Sequence, residues 1–154
     1  MTGEHKVYKG GCICGAVSYQ VVGKPVRNAY CHCTLCQRLN GSAFIHTIHY
    51  PAAAFMWTHG ELQQDVIETY STNSKPWKIR SCCIKCGCCV SSHNTKTDRI
   101  SVWGAQLERD EHGRIKEWED LKPKAHIFYG TRMLDVHDSL LKWEGYDGES
   151  ERLG

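Results

Sequence analysis

Ten cysteines lie in a chain of 154 residues, and most stand one to three positions from the next. Cys12 and Cys14 make a CxC pair, Cys31, Cys33 and Cys36 a CxCxxC cluster, and Cys83 and Cys86 a CxxC pair. Cysteines this close are badly placed to bridge one another and well placed to converge on one ion. Gly15 follows Cys14 and Gly87 follows Cys86, where a tight turn needs a positive φ. A structural zinc takes four ligands, so Cys12, Cys14, Cys83 and Cys86 are expected to close one site. The trio Cys31, Cys33 and Cys36 supplies three ligands and leaves one position open, the arrangement of a catalytic zinc. Cys82, Cys88, Cys89, His32 and His46 are the candidates for a fourth ligand that would close it instead.

Other groups near these clusters carry weaker signals. Arg38 follows the trio and could balance its charge or bind a carboxylate, although a solvated arginine fits the pattern equally well. His32 lies between two ligands, so its ring is expected to point away from their metal and to be structural. His46 and His49 fall on opposite faces of one strand-like run, so at most one faces a pocket. Trp57, Trp77, Trp103 and Trp143 read as core or rim. Gly41-Ser42 could line a pocket through backbone N–H groups or form a plain turn. No nucleophile–base pair stands out.

The elements that must hold these residues read as short strands. Ala16–Val22 alternates Val17, Tyr19 and Val21 against polar or small neighbours, the period of a half-buried strand. Residues 43–50, 66–71, 90–93 and 100–107 read as further strands, separated by Gly, Pro and Asn turns. Helix is scarce: Cys36–Asn40, stopped by Gly41, and a short start at Asp138–Trp143 with Asp138 as cap. The whole chain, 1–154, is expected to form one mainly β domain with its core at about 7–146 and a frayed polar tail. Net charge is +2 with the signs mixed and no long basic run, which argues against nucleic acid or anionic membrane as partner. No stretch has signal-peptide or membrane-span length, so a reducing, cytoplasmic setting is expected, where disulfides are disfavoured.

The order GGCICGAVSY, YCHCTLCQRLNGSAF and SCCIKCG resembles the glutathione-dependent formaldehyde-activating enzyme family, to which centromere protein V also belongs. The later KAHIFYGTRMLDVHDSLLKWEGY is similar to the C-terminal region of fungal-type members. The resemblance implies a β-tent of packed antiparallel sheets with little helix. It implies a structural zinc on Cys12, Cys14, Cys83 and Cys86 and a catalytic zinc on Cys31, Cys33 and Cys36. It also implies a zinc-dependent carbon–sulfur lyase that joins a small thiol, glutathione among the candidates, to an aldehyde. Cys82 stands where an aromatic commonly precedes the knuckle, and Cys88 and Cys89 stand where small or aliphatic residues usually follow, so Cys82/Cys86 could serve in place of Cys83/Cys86, though the two-residue gap favours the latter. A non-enzymatic zinc module that binds a protein partner is the alternative function. Methionine sulfoxide reduction is a third, needing a catalytic thiol outside the metal sets.

Overall fold

The computed structural model describes residues 5–60 and 63–154. The chain runs β1 (Val7–Gly11), β2 (Ser18–Val22), β3 (Arg27–Cys31), α1 (Thr34–Asn40), β4 (Ile45–Pro51), β5 (Phe55–Trp57) and α2 (Gln63–Val66). It continues through β6 (Ile67–Tyr70), β7 (Lys78–Cys83), β8 (Cys89–Asn94), β9 (Arg99–Trp103), α3 (Trp118–Leu121), β10 (Ala125–Ile127) and β11 (Leu141–Lys142). The architecture is mainly β with two sheets and little helix. No helix among the described residues is long and apolar enough to cross a membrane.

Two compact units make up the chain, one of the residues up to Val26 with His49–Lys116, the other of Arg27–Ile48 with Glu117–Gly154. In the first unit β2 lies between β1 and β5, antiparallel to both. Tyr19 and Val21 are buried on one face of β2 while Ser18 and Gln20 stay partly open, as their alternation dictates. The same unit carries the antiparallel run β6-β7-β8-β9. Its core includes Val17, Tyr50, Cys83, Val90 and Val102, all essentially without exposure. The β7–β8 hairpin opens at its end into the loop that holds the CxxC pair.

In the second unit β10 lies between β3 and β11 and is parallel to both. These parallel pairs add to the expected antiparallel ones. The connections β3 to β10 and β10 to β11 are long, the latter spanning residues 128–140, and long crossovers are what parallel pairing requires. Ala29, Cys31 and Ile127 form the core cluster here, with Ile45, Phe128 and Tyr146 packed against it.

The short helix expected from Asp138 is absent. Asp138 does accept the Leu140 N–H at 3.1 Å, as a cap would, but the chain then extends into β11. Residues 145–154, read as a frayed tail, fold back on it: Leu153 N–H donates to Lys142 O at 2.8 Å and Lys142 N–H to Gly154 O at 2.9 Å. Arg27 binds Asp147 at 2.6 Å and Glu149 at 3.1 Å, and its guanidinium lies 4.3 Å from the centre of the Tyr146 ring. Charge pairing and one stacked tyrosine hold a segment whose polarity alone reads as loose.

Candidate metal centres

Cys12, Cys14, Cys83 and Cys86 present sulfurs that all lie within 4.8 Å of one another. Cys12 Sγ is 3.6 Å from Cys14 Sγ, and Cys14 Sγ is 3.7 Å from Cys83 Sγ. A tetrahedron with Zn–S bonds of about 2.3 Å has S···S edges of about 3.8 Å, so the cage has the size zinc needs. The turns are built for this. Gly15 has φ +81° and its N–H donates to Cys12 O; Gly87 has φ +77° and its N–H donates to Cys83 O at 2.8 Å. A side chain at either position would be strained, and without these turns the second sulfur of each pair could not swing back beside the first. Val17 N–H donates to Cys12 Sγ at 3.3 Å, a backbone contact that favours the thiolate. Cys86 is lowered to about 6, chiefly by backbone N–H groups. The Ala16 backbone contact pulls Cys14 the same way, but desolvation and the neighbouring sulfurs together raise it to about 12. Negative charge thus crowds onto a few sulfurs until a cation spreads it.

Cys31, Cys33 and Cys36 form the second group, again within 4.8 Å of one another. Cys31 ends β3 and is buried, and Cys33 caps α1, its sulfur accepting the Cys36 N–H at 3.3 Å. The helix start therefore sets both later sulfurs relative to each other. Thiols of Cys31 and Cys36 donate to Cys33 and push it down to about 2, while Cys31 is pushed far up by the same contacts and by burial.

No fourth Cys, His, Asp or Glu among the described residues joins this group. His32 is engaged elsewhere, its Nε2 lying 2.8 Å from Nδ1 of His126, and His126 Nε2 lies 2.8 Å from Asp138 Oδ2. The carboxylate can only accept, so His126 donates Nε2–H to Asp138, which leaves its Nδ1 facing His32 Nε2. His32 and His126 have no exposure, and His32 Nδ1 is buried without a hydrogen-bond partner. The expectation of a structural His32 fits this chain. It also fixes the peptide between two ligands: His32 N–H donates to Ile127 O at 3.0 Å, and His32 O accepts from Gln37 Nε2 at 2.6 Å and Thr131 Oγ1 at 3.0 Å.

His46 is likewise committed. Asn28 Nδ2 donates to Leu121 O at 2.7 Å, which leaves Asn28 Oδ1 to accept from His46 Nε2 at 2.6 Å. Burial lowers His46 to about 4 against an opposing Leu121 backbone contact. An unfolded histidine titrates near 6.5, so between pH 6.5 and 4 the unfolded chain binds the extra proton. The stability owed to neutral His46 is full above about pH 6.5 and drains as pH falls toward 4. His46→Gln keeps a donor for Asn28 but does not titrate, and is expected to flatten the slope by up to about 1.4 kcal/mol per pH unit. Urea unfolding of both proteins between those limits measures it. Metal loss at low pH affects both alike and cancels in the difference, so parallel curves would remove His46 as a source of the pH dependence.

The remaining candidates sort plainly. Arg38 is exposed in the last turn of α1. Gly41 and Ser42 close that helix, both N–H groups meeting Gln37 O, which is the plain-turn outcome. Trp57 packs on Phe55 and His59, and Trp77 lies under Lys96. Cys88 lies beside Cys86, and burial together with the neighbouring Cys82 pushes the Cys89 thiol up to about 12. Sequence reasoning read Asp138 only as a helix cap, and missed His126 and the Phe128–Tyr146 wall beside the trio.

The family model described as glutathione-dependent formaldehyde-activating enzyme matches residues 7–131. Among solved structures, a Rhodobacter sphaeroides protein from structural genomics is similar at TM-score 0.52 and 19% identity, covering 70% of this chain and 96% of that one. At that identity the likeness speaks for the fold alone. No curated protein matches the chain.

Proposed function

Since the chain belongs to the glutathione-dependent formaldehyde-activating enzyme family, we propose that it joins a small thiol to an aldehyde, and reverses that step as a carbon–sulfur lyase, at Cys31, Cys33 and Cys36. The observation that supports this reading is the asymmetry of the two cysteine groups, four sulfurs in one and three in the other. Cys12, Cys14, Cys83 and Cys86 would hold a structural zinc, and the trio a second zinc. A zinc ion held there by three thiolates would supply a soft Lewis-acid position suited to a thiolate sulfur.

The chain's own residues prepare that position. Cys33 is anchored by the first turn of α1, Cys31 by β3, and the intervening peptide by Gln37, Thr131 and Ile127. Ile127, Phe128 and Tyr146 wall the trio with apolar surface, which thins out water and strengthens electrostatic interactions inside. Arg27 is bound to Asp147, Glu149 and the Tyr146 face, so it braces the wall rather than serving a substrate. Arg38, exposed on α1, is the cation we assign to the carboxylate of a thiol such as glutathione. In the reaction the thiol sulfur bonds to the carbonyl carbon and the thiol proton ends on the carbonyl oxygen. The product is a hemithioacetal, with nothing else consumed.

Two measurements on one preparation test the reading. Elemental analysis should find about two zinc ions per chain. Exchange-resolved NMR should then show faster adduct formation from glutathione and formaldehyde than in buffer alone. A chain carrying both zinc ions but leaving that rate unchanged would turn the reading toward a zinc module that binds a protein.

A further inference from the structure

Cys82, Cys88 and Cys89 lie outside both metal groups, and two of them face each other across a strand pair. β7 and β8 run antiparallel in register from Lys78↔Asn94 to Ser81↔Ser91, and the register then jumps to Cys82↔Cys89. Val90 is the extra residue of this bulge, and it is fully buried. A bulge bends its strand and re-aims the following side chain. Here it makes Cys89, rather than Val90, the residue opposite Cys82. Directly opposed residues of an antiparallel pair carry their side chains on one face with Cβ atoms about 4.5–5.5 Å apart. Their Cα spacing of about 4.5–5.5 Å lies within the range a disulfide spans.

Both residues are partly exposed rather than sealed in the core. The Cys89 sulfur makes a long contact, 3.8 Å to Ser91 O, and lies within hydrogen-bonding reach of the Cys82 sulfur. Below the pair, the knuckle loop is pinned by the Cys83 N–H to Cys88 O bond at 2.8 Å. The hairpin neck is therefore held closed whether or not the two sulfurs are joined.

We propose that Cys82 and Cys89 form a redox-active dithiol, separate from both metal groups, that closes reversibly to a disulfide by exchange with a small disulfide of the glutathione disulfide class. One cysteine, as thiolate, attacks a sulfur of the reagent. The S–S bond of the reagent breaks, a mixed disulfide forms, and one glutathione thiolate leaves and takes up the proton that the cysteine lost. The second cysteine, as thiolate, then attacks the protein sulfur of the mixed disulfide. A second glutathione leaves in the same way and the Cys82–Cys89 bond forms. The protein pair loses two electrons, the reagent gains them, and the two protons pass to the two departing thiols. The closed ring encloses Cys83 and Cys86, so the bridge ties off the loop that carries half of the four-sulfur group without consuming any of its ligands.

The test uses the whole, zinc-loaded chain incubated with glutathione disulfide. Seven cysteines sit in the two metal groups, which leaves three open to alkylation before treatment. Treatment is expected to leave one, to lower the intact mass by two hydrogens, and to yield a Cys82–Cys89 cross-linked peptide. Zinc content should stay unchanged, and excess reduced glutathione should restore all three thiols. Cys89→Ser should stop at a glutathione adduct on Cys82, and Cys82→Ser at an adduct on Cys89; if one variant fails to fold, the other still reports. Persistence of three alkylatable thiols would overturn the proposal. So would a cross-link that takes in Cys12, Cys14, Cys83 or Cys86 with release of zinc, or one that pairs Cys88.

Discussion

Cys83→Ser should cost the protein its four-sulfur site and most of its stability. Cys83 is buried at 1% exposure, at the point where β7 turns into the knuckle loop. Its N–H and C=O are both used in that loop, bonded to Cys88 O and to Gly87 N–H at 2.8 Å each. Serine would replace a soft ligand with a hard, protonated one and leave three sulfurs to hold a structural ion. Structural zinc contributes roughly 10–16 kcal/mol to the folding of small zinc domains, while a whole domain is stable by only about 5–15 kcal/mol. Even a modest share of that loss would unfold much of the chain, so the variant is expected to fall by more than about 3 kcal/mol or to fail to accumulate as folded protein. Cys82→Ser, one residue earlier and outside the group, is the control and should change stability by less than about 1 kcal/mol. Thermal unfolding with zinc content read alongside decides the matter. Retention of both ions by Cys83→Ser, with loss in Cys82→Ser, would move the ligand to Cys82.

The two cysteine groups were legible because a metal site of this kind imposes spacing on sequence. Cys12 and Cys14 need Gly15, and Cys83 and Cys86 need Gly87, since only a glycine makes the positive-φ turn without strain. That pattern survives any detail of the surrounding fold. Strands with clear alternation were legible for a similar reason: β2 buries Tyr19 and Val21 as its period requires. Glycine, cysteine or charge interrupts the pattern of β1, β3 and β7, and β10 and β11 are only three and two residues long, so pairing rather than period defines them. β10 shows this most clearly. All three of its residues are buried, and its parallel partners β3 and β11 come from opposite directions along the chain.

Long-range polar contacts were the part that spacing does not encode. The chain Asp138–His126–His32 joins residues 106 positions apart at its ends, and nothing local to His32 names its partner. Asp138 carries a recognisable local signal, a cap-like acceptor, and keeps it, accepting the Leu140 N–H. Beyond Leu140 the backbone is set instead by pairing of Lys142 and Trp143 with the C-terminal residues. The same holds for residues 145–154, where Arg27 supplies from far away the two ion pairs that polarity alone could not announce.

Cys33→Ser should separate chemistry from folding. Cys33 is the N-cap of α1, and its sulfur accepts the Cys36 N–H. Serine is among the best N-cap residues, so the substitution preserves the helix start while removing one soft donor from a group of three. Stability is expected to change by no more than about 1 kcal/mol. Zinc content should fall from about two per chain to about one, because two sulfurs are too few to retain the ion. The rate of thiol–aldehyde adduct formation should drop by more than about 100-fold, beyond what loss of an outer partner of a ligand costs. With cobalt in place of zinc, the sulfur-to-metal absorption should lose the contribution of the second site and keep that of the first. Serine at position 83 is expected to do the reverse, harming the fold first. Equal loss of folded protein in the two variants would erase the distinction between the groups, and unaltered activity in Cys33→Ser would remove the trio from the reaction.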